Sequence, residues 1–212
     1  ERVPEWVEDA EEKWIWTVVS EVRYLFRHAL LRDAAYDMQL QARLRELHAL
    51  AGVAIEQLYQ ADLAPHYAEL AYHFGQAGKV GRERTYAQLA GQQAASQFAN
   101  EQARRHFDRA LALTPEEDLR ARYDLTLARQ KVCDLQADRA AQARDLAVLE
   151  ALAEGLADDQ LGAEVALWQS DYGESTGDYA ASMEAAQKAI SLALAAGDLP
   201  QEAMGFRQWG RA

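Results

Sequence analysis

Five histidines, one cysteine and a few carboxylate pairs are the side chains of this 212-residue chain best suited to chemistry. The histidines are His28, His48, His66, His73 and His106, and no two of them stand at the His-x-x-x-His spacing of a helical metal site. His66 and His73 could share a helix face two turns apart, but about 10 Å of rise would separate them. One ion could not bridge that gap without a third element, so no metal site is expected. Cys133 lies between Val132 and Leu135 in a helix-like run with no cysteine-centred motif around it. A small buried hydrophobe is the expected role, and a lone thiol fits a reducing compartment. Glu116-Glu117 and Asp158-Asp159 could act as acid/base pairs. Both fall where helices should begin, however, and acids there favour the helix dipole. The phosphate-binding pattern Gly-x-x-x-x-Gly-Lys-Ser/Thr is missing from the sequence. These residues therefore point to a non-enzyme with no cofactor.

The elements that carry these residues are helical by composition. The chain has 43 Ala and 26 Leu against 13 Val plus Ile. Ala and Leu favour helices and β-branched residues favour strands, so the expected fold class is all-α. Six of the 13 β-branched aliphatics fall in the first 22 residues, which is where any sheet belongs. Trp14 to Val19 and Val22 to Phe26 read as a hairpin near 14–26. Alternation there puts Trp14 and Trp16 on one face, as core or, with Trp6, as a docking surface. A short helix is expected in 29–37, then a longer one over about 39–60 with Leu40, Leu44, Leu47, Ala51, Ile55 and Leu58 in its stripe. Further helices are expected near 65–77, 80–98, 100–113, 116–136, 138–155, 160–175, 179–196 and 200–212. Pro65, Pro115 and Pro200 each precede such a run, where proline suits a first turn.

Formal net charge is −12. A phosphate backbone would be repelled by such a surface, so nucleic acid is not the expected partner. No apolar stretch is long enough to span a membrane, no secretion leader is seen, and a cytoplasmic location is expected. The local basic cluster of Arg23, Arg27, Arg32, Arg43 and Arg45 could face a partner or pair with Glu21, Asp33, Asp37 and Glu46.

The chain also repeats. Ala137-Asp138-Arg139-Ala140-Ala141 aligns with Gly177-Asp178-Tyr179-Ala180-Ala181, and Ala99-Asn100-Glu101-Gln102-Ala103 precedes the first of these by nearly the same interval. Two helices and a turn, repeated at that interval, imply a helical solenoid. Ala103, Ala110, Ala143, Ala186 and Ala189 should allow close helix approach. Phe98, Phe107, Leu111, Leu146, Leu149, Ile190 and Leu192 should fill the layers between. At Gly78, Gly177 and Gly197 the chain should leave a helix in a left-handed conformation.

His106-Phe107-Asp108-Arg109-Ala110-Leu111-Ala112-Leu113-Thr114-Pro115 resembles the end of a tetratricopeptide repeat (TPR), in its Ala103, Phe107, Ala110 and Pro115. Thr176-Gly177-Asp178-Tyr179 resembles the turn between the two TPR helices, and Trp209-Gly210 the start of a repeat. Ser182, Gln142 and Gly173 depart from the usual pattern, and the unit is longer than the standard one. Longer repeats of this kind are similar to the TPR-like arrays of bacterial regulatory ATPases. Tyr24 to Tyr36 and Arg43 to His48 resemble the segment that follows the nucleotide-binding domain in STAND-type ATPases. That second resemblance implies a winged-helix-like module over 1–60, with the hairpin as its wing, followed by TPR-like repeats over 65–212 that end part-way through a unit. It also implies an ATPase domain upstream in the same polypeptide. The function so implied is signal transduction: a protein-interaction and sensor region that binds a protein or peptide on the concave face of the repeats. A free-standing TPR scaffold or chaperone adaptor is the alternative. By analogy with TPR arrays, the first helix of each pair lines that face. Turns placed at 78, 99, 137 and 177 put Tyr72, Gln93, Lys131 and Asp171 on it, with Leu89, Leu127 and Leu167 one turn earlier. Packing between repeats is the competing role for these residues.

Overall fold

Leu44, His48 and Gly52 recur every fourth residue and form the buried stripe of the first long helix, α1 (Gln41–Leu58). A computed structural model describes residues 16–20, 23–26, 30, 34, 36, 38 and 40–211. After α1 a single 3-10 turn (Ala64–His66) carries Pro65 and leads into α2 (Tyr67–Gln76). Then follow α3 (Val80–Ser96), α4 (Asn100–Ala112) and α5 (Leu119–Leu135). The remaining four are α6 (Arg139–Leu156), α7 (Asp159–Thr176), α8 (Tyr179–Ala196) and α9 (Leu199–Trp209). Upstream, β1 (Trp16–Ser20) pairs antiparallel with β2 (Arg23–Phe26), Trp16 opposite Phe26 and Val18 opposite Tyr24. The flanking parts of the expected winged-helix module, with Trp6 and Trp14, lie outside the described residues, as do the side chains of Arg23, Arg27 and Arg32.

From α1 onward the described fold is all-α and built from a recurring connection. Gly78, Phe98, Ala137, Ala157, Gly177 and Gly197 all have positive φ, between 50° and 80°. At each, the next residue's N–H closes a loop onto a carbonyl of the helix just ended. The bonds are Lys79 to Phe74, Ala99 to Ala94, Asp138 to Cys133, Asp158 to Ala153, Asp178 to Gly173 and Asp198 to Ala193, at 2.8–3.3 Å. This geometry satisfies the orphan carbonyls of a helix end. The same residue then begins the next helix. The Asp138, Asp158, Asp178 and Asp198 carboxylates accept backbone N–H groups of the following turn at 3.0–3.1 Å. Asp118 does the same for α5 through Ala121 at 3.2 Å. These capping aspartates, from Asp118 to Asp198, stand at equal intervals, each half the offset that relates Ala137 to Gly177 in the sequence.

Each helix packs chiefly on its chain neighbours, and α3 with α5 and α7 with α9 also touch. This is the contact pattern of a stack. Glycine lets the helices close: a Cβ on Gly52 would meet the Phe74 ring at 2.8 Å, and one on Gly91 the Phe107 ring at 2.7 Å. On Gly173 it would meet the Ser182 backbone nitrogen at 2.8 Å. Ser170 and Ser182 hydroxyls share a buried hydrogen bond at that same crossing, 3.1 Å long. Ala103, Ala110, Ala186 and Ala189 are fully buried in the seams, while Ala143 is half-buried.

Two expectations need correction. Phe98 does not fill a layer; it holds the left-handed position of a turn and is 79% exposed. Glu116 and Glu117 precede the helix start rather than occupying it, because Asp118 is the cap of α5. Leu167 is buried with Ala166 and Ala189, and Leu127 packs on the cluster around Tyr123, the packing role that stood beside the groove for these residues.

Candidate functional site

Alternate helices form two rows, and the predicted partner-binding residues divide between them. Gln93, Lys131 and Asp171 belong to α3, α5 and α7, which share a row with α9. Tyr72 lies on α2, in the row of α4, α6 and α8, because adjacent helices alternate. Turns at 78 and 99 pair neighbours that cannot both be first helices. Lys131 and Asp171 precede the left-handed residues Ala137 and Gly177 by the same interval. Gln93 stands one position closer to Phe98, so the equivalent position on α3 is the exposed Gln92, and Gln93 is half-buried.

Along the α5–α7–α9 row the polar side chains link each helix to the next in that row. Tyr123 on α5 is buried and donates its hydroxyl to the Leu161 carbonyl and to Glu164, both at 3.2 Å. Burial, followed by the adjacent Glu164 carboxylate, pushes the Tyr123 pKa up, so the phenol stays a donor. The Lys131 ammonium stands 3.8 Å from Glu164 and 5.6 Å from the centre of the Trp168 ring. Asp171 accepts from Gln208 of α9 at 2.8 Å, and Glu174 pairs with Arg211 at 2.8 Å. Desolvation beside α9 and the Glu174 carboxylate raise the Asp171 pKa. Lys131 and Asp171 therefore both join successive repeats and present charge along one strip.

The other row is cross-linked the same way. Arg104 on α4 reaches the Asp138 cap of α6 at 2.9 Å, and Lys188 on α8 binds Glu150 on α6. Arg129 on α5 grips Asp145 through two nitrogens, at 2.6 and 3.0 Å, and Asp108 at 2.6 Å.

The candidate chemical groups are placed as follows. Cys133 is 1% exposed, and burial pushes its thiol pKa up, which disfavours the nucleophilic thiolate. It holds the turn position also held by Ala153, Gly173 and Ala193, whose carbonyls accept the same loop-closing bond. His66 pairs with Glu69 at 3.1 Å and stacks on Tyr59, not on His73. His73 instead meets His48 of α1, Nδ1 to Nδ1 at 2.9 Å, while the Tyr36 hydroxyl lies 3.1 Å from His48 Nε2. Burial lowers both histidine pKa values. Nothing in the sequence flags that pair, since its members lie far apart in the chain on different helices. Arg43 pairs with Glu46 at 3.0 Å, one pair of the salt-bridged alternative for that cluster, and Glu21, Asp33 and Asp37 lie outside the described residues. Among the described residues no group of three or more His, Cys, Asp or Glu is arranged to hold a metal ion, and no helix is long and apolar enough to cross a membrane.

No protein-family model matches the chain, and no curated protein matches its sequence.

Proposed function

We propose that this chain is a non-catalytic interaction and sensor region of a larger bacterial STAND-type signalling ATPase, acting in the cytoplasm. On this reading residues 65–212 are TPR-like repeats, and 1–60 form the winged-helix-like module that joins them to an upstream ATPase domain. The observation that carries it is the strip along α3, α5, α7 and α9. Successive helices there bring Lys131 and Asp171, one repeat offset apart in the sequence, to equivalent places. A stack of that kind offers an extended protein or peptide one contact per layer. Gln92 continues this strip on α3, with the half-buried Gln93 beside it, and Tyr72, 54% exposed on α2, makes a separate contact. Buried charge and polarity supply the scaffold instead: Asp145 is held by Arg129, Glu83 by Arg109 at 2.6 Å, and Gln142 by Arg139 at 2.5 Å.

A partner that engages Lys131 or Asp171 competes with Glu164 or Gln208 and so alters the coupling between repeats. That gives the sensor its means of shifting the ATPase between a closed and an open arrangement. The test is the complete open reading frame and its product. A Gly-x-x-x-x-Gly-Lys-Ser/Thr loop upstream, with ATP hydrolysis that changes at least severalfold when residues 65–212 are removed, is the expected result. A frame with no such loop would overturn the ATPase reading and leave a free-standing scaffold.

A further inference from the structure

We propose that the cleft lined by α6, α7 and α8 is a docking groove for a basic peptide segment of a partner protein. In it, arginine or lysine stems lie on an apolar floor and their charges among the rim carboxylates. This goes beyond the reading above, because α7 contributes Gly162, Val165 and Gln169 here and Glu164, Trp168 and Asp171 to the other strip.

The cleft has two compartments, of roughly 290 and 340 Å³. Ala153, Gly162, Val165 and Leu192 give the first an apolar lining, and Glu154, Asp158 and Asp159 supply its acidic part. Tyr172, Gly173, Ala181 and Ala185 line the second, with Asp178 and Glu184 beside them. Glu150, Gln169 and Lys188 belong to both and divide them. The groove therefore carries six carboxylates and one cation. Two of those acids, Asp158 and Asp178, spend an oxygen capping helices. Glu150 accepts from Gln169 at 3.0 Å and from Lys188, and these bonds hold its carboxyl below the usual carboxylate range. Glu154, Asp159 and Glu184 have no ion-pair partner among the described residues.

Lys188 shows how a cation is received here, with its ammonium on Glu150 at the divide. A long side chain with an apolar stem and a charged head matches a floor of Ala, Val and Leu under acids better than a bare ion does. Nucleic acid would be repelled by the same carboxylates. The net charge of −12 favours encounter with a basic partner. An incoming arginine would compete with Lys188 for Glu150 and could pair bidentately with Glu154 or Glu184.

The test uses a fluorescein-labelled peptide of four Arg-Gly-Gly units, and the same peptide with norleucine in place of arginine. Saturable binding of the arginine peptide and none of the norleucine peptide is expected. The triple variant Glu154→Gln/Asp159→Asn/Glu184→Gln should weaken binding about tenfold, the sum of three modest ion pairs. A remote variant with the same charge change, Asp62→Asn/Glu117→Gln/Asp124→Asn, should stay within about twofold. Lys188→Ala should tighten binding about threefold by removing the internal competitor, while Lys79→Ala leaves it unchanged. No saturable binding, equal capture of the norleucine peptide, or equal weakening by the two triple variants would overturn the proposal.

Discussion

Ala157 and Gly177 hold the same backbone conformation, yet only one of them is built for it. Left-handed φ costs an L-residue about 1 kcal/mol relative to glycine, and Ala157 (φ 50°) and Ala137 (φ 54°) bear that cost. Ala157→Gly should therefore stabilise the fold by about 0.5–1 kcal/mol in urea unfolding, reduced by glycine's larger unfolded-state entropy. A loss of stability would contradict the turn geometry. The same scale explains what the sequence discloses. Gly78, Gly177 and Gly197 announce their turns because glycine is the usual left-handed residue. Phe98, Ala137 and Ala157 give no such signal, and Phe98 reads as core for its bulk. Arg129 is equally hidden, since an arginine between two aspartates is visible only once α4, α5 and α6 meet. Asp145 is nearly buried, so Arg129→Leu leaves its charge uncompensated. A loss of about 3 kcal/mol is expected, measured by the same urea transition.

Between elements, glycines and small polar groups set how closely helices cross. Gly173 faces the backbone of α8 with no room for a methyl group. Gly173→Ala should cost about 1–3 kcal/mol, seen as a lower thermal midpoint, and a neutral effect would mean the α7–α8 crossing is looser than described. The same crowding leaves no space at Gly173 for a larger side chain. The α1–α2 contact adds a pH dependence. Burial lowers the pKa of both His48 and His73, so the unfolded chain binds protons more readily than the folded one. Stability from this source is present above pH 6.5 and is lost as pH falls through the lowered folded values. Glu69 opposes the shift at His73, and Tyr36 and Tyr72 pack against His48. Thermal midpoints should drop between pH 7 and 5, and His48→Gln/His73→Gln should flatten that dependence. The periodicity of Ala and Leu makes nearly every helix legible, with ends displaced by a few positions at most. It does not show which helix faces which, so it groups Tyr72 with residues of the other row and sets Gln93 one position out of register with Lys131 and Asp171.

At the scale of the molecule, the fold rests on a unit of one helix and one capped turn, repeated from each capping aspartate to the next, with contacts chiefly to the adjacent and next-adjacent helices. The sequence shows the interval of two such units, because Ala137-Asp138 and Gly177-Asp178 are each followed by Ala-Ala one residue later, while Ala157-Asp158 between them is followed by Asp159-Gln160-Leu161. Stacks of such units are coupled mainly to their neighbours, so a whole pair of helices can be removed without destroying a common core. Deletion of residues 138–177 joins Ala137 to Asp178 and preserves the left-handed residue, the loop-closing bond to Cys133 and the aspartate cap. The shortened chain should remain helical by circular dichroism and melt in one cooperative transition at a lower temperature. A chain that loses its helix signal or its cooperative melt would show that the core is shared by the whole molecule, and the stacked-unit account would be wrong.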